Sequence, residues 1–269
     1  MRKFFFPLLI NIVNTKPVQK IFRAFVNSSF SRRMIPWYIR KYNVNTSEAE
    51  HSPEDYPTLA DFFARRLREG ARPIASPDDP RVLTAPVDSV PETYIADLRD
   101  ARFTVKGKTC TLAELLDSKT EAARFDGGQL IVFYLSPGDY HRIHAPFDAA
   151  VNDRRSAGDR SAPVNEAGLR FCGKPLCENY RVIQRVSLAA NPDTSVAVIF
   201  VGAINVNSIE CEQLSQWRKG EEIGHFAFGS TVILAFERGA ADLTAVSERI
   251  GKPIRVGEPI GFVNFDNKS

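Results

Sequence analysis

From about Val82 to the C-terminus, short apolar runs alternate with clusters of Gly, Pro, Asn and Asp, and this texture restricts the fold more than any other feature. Residues 129–135, 196–201, 231–236 and 260–265 have the length and the β-branched or aromatic content of strands. Many short strands with few helices between them predict a mainly antiparallel β body. One helix interrupts it at residues 111–118, where Thr111 and Glu114 form a capping-box pair. The stretch carrying Gly251, Gly257 and Gly261 reads as a tight hairpin at the rim of that body.

Upstream the periodicity is helical. Pro17 follows the candidate cap Thr15, and Val18, Ile21, Phe22, Phe25 and Val26 recur at helical spacing, with Lys20 and Arg23 elsewhere on the wheel. Thr58 and Asp61 form a second capping pair, followed by an apolar stripe of Leu59, Phe62, Phe63 and Leu67 that Gly70 and Pro73 bring to an end. The fold class is therefore α+β, with an N-terminal helical region over residues 1–75 and a β-rich domain over 76–269. Neither a solenoid-length repeat nor a low-complexity tract is visible.

Charge divides the chain in nearly the same place. Residues 1–47 carry nine Lys or Arg and no acid, which leaves 26 basic against 32 acidic side chains in the remainder. A basic, aromatic-rich end on an acidic body points to an anionic surface, either nucleic acid or lipid. The apolar residues between the charges favour lipid: a basic amphipathic helix with Phe on its apolar face can lie in a membrane interface. The plainer alternative is a helix packed on its own domain. The ten-residue apolar run at 4–13, broken by Pro7 and Asn11, is too short to span a bilayer, and no small-x-small cleavage site follows before Lys16. No other segment reads as transmembrane. The four cysteines do not make a disulfide framework in a chain of 269 residues, and Cys172 and Cys177 lack CxxC spacing; they read as thiols in a reducing compartment.

Two motifs could carry chemistry. His141 and His144 stand three apart in YHRIH, just after a strand and the turn Ser136-Pro137-Gly138-Asp139. An extended chain would point them to opposite faces, whereas a turn would bring them together. Zinc ligation, acid–base work and plain surface placement all remain open at that spacing. The second motif is Gly229-Ser230, at the head of an apolar run. A Gly-Ser step is ordinarily just a turn. A serine hydroxyl can nevertheless attack the preceding carbonyl, and glycine there offers least bulk and access to strained backbone. Such an attack needs a base, and a carboxylate that holds the base in the right tautomer. Asp88, beside Pro86 in a turn, is a candidate for the carboxylate.

Together the motifs resemble a family. LADFFARRLREGARPI at 59–74, a Pro-x-Asp turn at Asp88, YLSPGDYHRIHAP at 134–146, Val201-Gly202-Ala203 and KGEEIGHFAFGST at 219–231 are similar to bacterial phosphatidylserine decarboxylases. The resemblance implies that Ser230 attacks the Gly229 carbonyl, that the ester then eliminates, and that a pyruvoyl group remains at the new N-terminus. The products would be a β chain of 229 residues and an α chain of 40. His144, with Asp88, corresponds to the base for cleavage, and His141 to a histidine that assists decarboxylation. The covalent pyruvoyl cofactor would form a Schiff base with a serine headgroup and act as electron sink, with no metal. The implied partner is phosphatidylserine in an anionic membrane, not nucleic acid, with the protein peripheral on the cytoplasmic face of a bacterial cell membrane; a homodimer is compatible with this. Two departures stand out. Ser89 follows the motif aspartate where the family usually has glycine, and Val206-Asn207-Ser208 replaces Val-Gly-Ser; the stretch 209–217 is also short beside some relatives. The competing readings are a metal-dependent hydrolase using Asp88, His141 and His144 as ligands, and a lipid-binding relative that no longer processes itself.

Overall fold

A computed structural model describes residues 15–105, 107–164, 172–203, 209–227 and 230–264. Its centre is a seven-stranded antiparallel sheet in the order Gln216–Trp217, Ala149–Ala157, Arg181–Leu188, Asn191–Gly202, Ser230–Phe236, Gln129–Leu135 and Val90–Ile95. The middle strands are apolar where both faces of the sheet are covered, as in 196–201 and 232–236. Successive side chains of a strand point to opposite faces. Accordingly Val232, Leu234 and Phe236 join one core with Ile131, Phe133, Val198 and Phe200. Ile233 and Ala235 join a second with Leu130, Val132, Ile199 and Val201.

The first core is closed by two small sheets. One has the order Val82–Thr84, Pro259–Val263, Ala241–Asp242, and the other Ile209–Cys211, Glu222–Phe226, Arg142–His144. The second core is closed by the hairpin Arg102–Val105/Lys108–Thr111 and the helices Leu112–Leu116 and Pro175–Glu178. The capping box is present: Glu114 N donates to Thr111 Oγ1 at 3.0 Å, and Thr111 N donates to Glu114 Oε2 at 2.8 Å.

A third cluster, Val26, Ile35, Tyr38, Val44, Tyr56, Leu59, Phe62 and Phe63, belongs to the N-terminal region. It is built by the helices Lys16–Val26, Ile35–Tyr42 and Leu59–Phe63. The first is amphipathic as its spacing requires, but its apolar face is divided. Val26 is buried and Phe22 and Phe25 lean on the cluster, while Ile21 is 70% exposed. The run at 4–13 lies outside the described residues.

Two expectations need correction. Thr58 Oγ1 accepts from Asp61 N at 3.1 Å, but the helix it caps stops at Phe63, well short of Gly70. The chain turns extended there because residues 66–68 pair with 48–50: Glu50 N donates to Arg66 O at 3.0 Å and Arg68 N to Glu48 O at 2.9 Å. Leu67 thereby leaves the stripe and forms a bridge with Ala49. The glycine-rich stretch at 251–257 is not a hairpin either. It is pinned to the loop that carries Asp88, through an antiparallel Ser89–Ile254 bridge and a Gly257 N to Ala85 O bond of 3.1 Å.

Candidate active site

The register of the strands brings the two chemical motifs together. Ser230 opens the strand Ser230–Phe236 and pairs with Leu135, the last residue before the turn that leads to YHRIH. Upstream of the Gly229-Ser230 step, the strand Glu222–Phe226 pairs antiparallel with Arg142–His144, with Glu222 opposite His144 and His225 opposite Arg142. The chain thus reaches the Gly-Ser step on a strand held by one end of the histidine segment and leaves it on a strand held by the other. Gly229 and Asn207 themselves lie outside the described residues.

The turn is built tightly. Asp139 Oδ2 accepts from Ser136 N at 2.6 Å, and Arg65 Nη2 donates to the carbonyls of Gly138 and Asp139 at 2.9 and 3.1 Å. A side chain at position 138 would bring a Cβ to 2.4 Å from Tyr42 O, so the close approach of the helix Ile35–Tyr42 requires glycine there. Tyr38 Oη donates to Pro137 O, so the N-terminal cluster grips the same turn.

His141 is fully buried. Its ring stacks on Phe63 with centroids 4.0 Å apart, and Nε2 lies 3.1 Å from Ser136 O. Burial, reinforced by the Arg65 cation, pushes its pKa down to about 3, so the ring is neutral at physiological pH. His144 is half-buried, with Nδ1 2.7 Å from Gly220 O and Nε2 3.0 Å from Tyr140 Oη. A carbonyl can only accept, so Nδ1 carries the hydrogen and Nε2 presents its lone pair to the tyrosine hydroxyl. Burial lowers this pKa too, against the pull of Gly220, Glu222 and Asp88. Neutral with Nε2 free to accept, His144 is in the tautomer a general base needs.

Asp88 sits beside this ring but is held by other partners. Arg72 Nε donates to both carboxylate oxygens, at 2.8 and 3.1 Å, Arg72 Nη2 donates to Oδ2, and Val256 N donates to Oδ1 at 2.9 Å. Arg72 also pairs with Glu48 at 3.0 Å, and Glu48 with Arg255 at 3.1 Å. These carboxylates hold the Arg72 guanidinium above its usual range despite burial. The contact that fixes the His144 tautomer is the Gly220 carbonyl, while Asp88 acts on the ring through space. Removing one member of a buried ion pair leaves the other uncompensated and typically costs ~3–5 kcal/mol. Arg72→Met is therefore expected to lower the unfolding free energy by about that amount, read from a denaturant titration. An unchanged midpoint would show that Asp88 is hydrated.

Asp88, His141 and His144 do not converge as ligands, since each is turned to a different partner, and no cluster of three or more His, Cys, Asp or Glu able to hold a metal occurs among the described residues. Ser89 is accommodated without strain: it is not among the residues with positive φ, and its N–H and C=O bond Ile254 at 3.0 and 2.9 Å. Arg65, Arg72, Tyr140 and Gly220 were not singled out from the sequence. All four lie inside the motif stretches already quoted, but nothing in residue type announces the partners that Arg65, Arg72 and Gly220 meet many positions away.

The chain is similar to known proteins over nearly its whole length. The phosphatidylserine decarboxylase family profile matches residues 59–262. A phosphatidylserine decarboxylase proenzyme of Geobacillus sp. (strain WCH70) is 38% identical over 266 residues, 98% of this chain and 100% of the relative. One from Halalkalibacterium halodurans is 39% identical over 262 residues, 97% of this chain and 98% of the relative. This chain belongs to the phosphatidylserine decarboxylase family of enzymes.

Proposed function

We propose that the chain cuts itself between Gly229 and Ser230 and then decarboxylates phosphatidylserine to phosphatidylethanolamine. The observation that carries this reading is the register that sets Ser230 opposite Leu135 and His144 opposite Glu222, at the two ends of the same turn. In the first step His144 Nε2 takes the Ser230 hydroxyl proton as the oxygen attacks the Gly229 carbonyl. The peptide C–N bond breaks, the nitrogen receives a proton, and an ester results. Loss of the Ser230 α-proton then expels the Gly229 carboxylate from the β-carbon. The dehydroalanine left behind tautomerises to an imine, adds water and releases ammonia, giving the pyruvoyl end. Tyr140 supports the base by engaging Nε2 until the serine replaces it, and Gly220 keeps the hydrogen on Nδ1.

Once formed, the pyruvoyl carbonyl supplies the electron sink that loss of carbon dioxide requires. His141 serves this later step. Its uncharged ring does not stabilise the departing carboxylate in the ground state, which a cation in its place would do.

Residues 1–75 act as the membrane-associating region, keeping the enzyme peripheral on an anionic leaflet at the cytoplasmic face of a bacterial cell membrane. Supporting this, Ile21, Phe30 and Trp37 are exposed among Lys20, Arg23, Arg32, Arg33, Arg40 and Lys41, and the Arg33 guanidinium lies 5.0 Å above the Phe30 ring. No helix among the described residues is long and apolar enough to cross a membrane.

Intact-mass measurement tests the proposal. Purified protein should appear as chains of 229 and 40 residues, the shorter one lighter by one ammonia than a chain with an ordinary serine N-terminus. It should release carbon dioxide from phosphatidylserine vesicles. A full-length chain that is active uncut would refute it.

A further inference from the structure

Arg65 is a buried cation that Asp88 and Asp139 reach only through space, with its guanidinium 5.5 Å from the centre of the Phe62 ring. It is 3% exposed, and among the described residues it forms no ion pair with a carboxylate and leaves Nε and Nη1 without a hydrogen-bond partner. Its neighbour Arg72 makes the contrast, since two carboxylates neutralise it. A buried, unpaired charge is costly unless something compensates it. Both arginines line one cavity of about 400 Å³, whose wall also includes Asp88, Ser136, Tyr140 and Arg255. Ser136 directly follows Leu135, the register partner of Ser230, so the cavity wall continues the strand that pairs with Ser230. Its acids are accounted for: Glu48 and Asp88 are held by arginines, and the Asp139 carboxyl is turned onto Ser136 N.

We propose that Arg65 is the anion anchor of this cavity and receives the phosphodiester of the substrate headgroup. The proposal rests on the decarboxylase reading above and adds to it a residue that determines substrate binding. A serine-headgroup lipid offers two anions, and the chemistry distinguishes them. Gripping the carboxylate would stabilise the charge that must move during the reaction and so slow it, whereas the phosphodiester keeps its charge from ground state to transition state. Binding energy spent on the phosphodiester is uniform, and its loss appears in KM rather than kcat.

The test uses processed enzyme and short-chain phosphatidylserine. Arg65→Met should raise KM about tenfold to a hundredfold, the worth of one charge-assisted hydrogen bond, with kcat changed by less than about threefold. Arg65→Lys, which keeps the charge but loses the planar fork, should fall between the two. Inorganic phosphate should compete with substrate in the wild type and lose that effect in Arg65→Met. Competition by free serine that disappears in Arg65→Met, with phosphate inert, would place the carboxylate there and overturn the proposal. Loss of kcat at unchanged KM, or failure of both variants to be processed, would also overturn it, assigning Arg65 to holding the Gly138–Asp139 turn alone. Failure of the decarboxylase reading is seen separately, as wild-type protein that neither cleaves nor releases carbon dioxide.

Discussion

Ser230→Ala is expected to yield a single intact chain of 30.0 kDa with no decarboxylase activity at all. The size of the effect follows from where the residue acts. Most substitutions in an active site remove one contribution to a barrier and leave the others in place. Alanine at 230 removes both the nucleophile that makes the ester and the oxygen that leaves in the elimination, so neither the cut nor the new carbonyl can arise. The fold should survive. Position 230 opens a strand paired on both sides through its backbone, to Leu135 and to Gly202, and alanine keeps that backbone unchanged. The variant therefore separates processing from folding. Its thermal midpoint and its circular dichroism should match a freshly translated, uncut wild type. Cleavage of Ser230→Ala at the same bond would overturn the serine-attack route, and activity in the uncut variant would overturn the need for processing.

Much of this was legible in the sequence because the relevant signals are local. Runs such as 231–236 read as strands since both faces of the central sheet are buried, which demands continuous apolar, β-branched residues. The Thr111–Glu114 box is read within four residues and is present. Less legible was anything decided by a distant partner. The helix starting at Leu59 carries a stripe long enough to reach Leu67, but pairing with residues 48–50 outcompetes its last turn. The glycines at 251 and 257 announce turns, and they do so correctly, yet nothing local says that the loop binds the backbone at Ala85 and Ser89 instead of itself.

The site divides along the same line. Asp88, His141, His144 and Ser230 can be named because they sit in motifs that resemble those of a family; by residue type alone Asp88 is one acid among 32. The orienting atom on His144 is a backbone carbonyl, at Gly220, which every residue possesses and no sequence pattern can flag. Arg72 sits 16 positions from Asp88 and 24 from Glu48, a separation that only the fold closes. The spacing of His141 and His144 left open whether they share a surroundings. They do not: one ring is sealed against Phe63, and the other faces Tyr140. That difference is compatible with the separate roles proposed for them.

His144→Gln should slow self-cleavage by about a hundredfold to ten-thousandfold, the usual range for removing a general base. A glutamine amide can still donate to the Gly220 carbonyl and so fill the space without a basic nitrogen. The rate is best followed as conversion of freshly translated chain over time. The pH dependence separates a base from a packing residue. His144 has its pKa lowered by burial, so Nε2 is unprotonated throughout the neutral range. Protonation abolishes the base, and hence the wild-type rate should be level from neutral pH upward and fall only as the pH drops below the ordinary histidine value of about 6.5. Two neighbours could imitate that fall. His141 titrates near 3, too low to contribute above about pH 4. Asp139, raised by burial to about 6, titrates in the same window. Asp139→Asn retains an oxygen to accept from Ser136 N and should keep the acid limb, whereas His144→Gln should lose it along with the rate. A wild-type limb centred at or above pH 6.5, or a limb that vanishes with Asp139→Asn, would move the base away from His144.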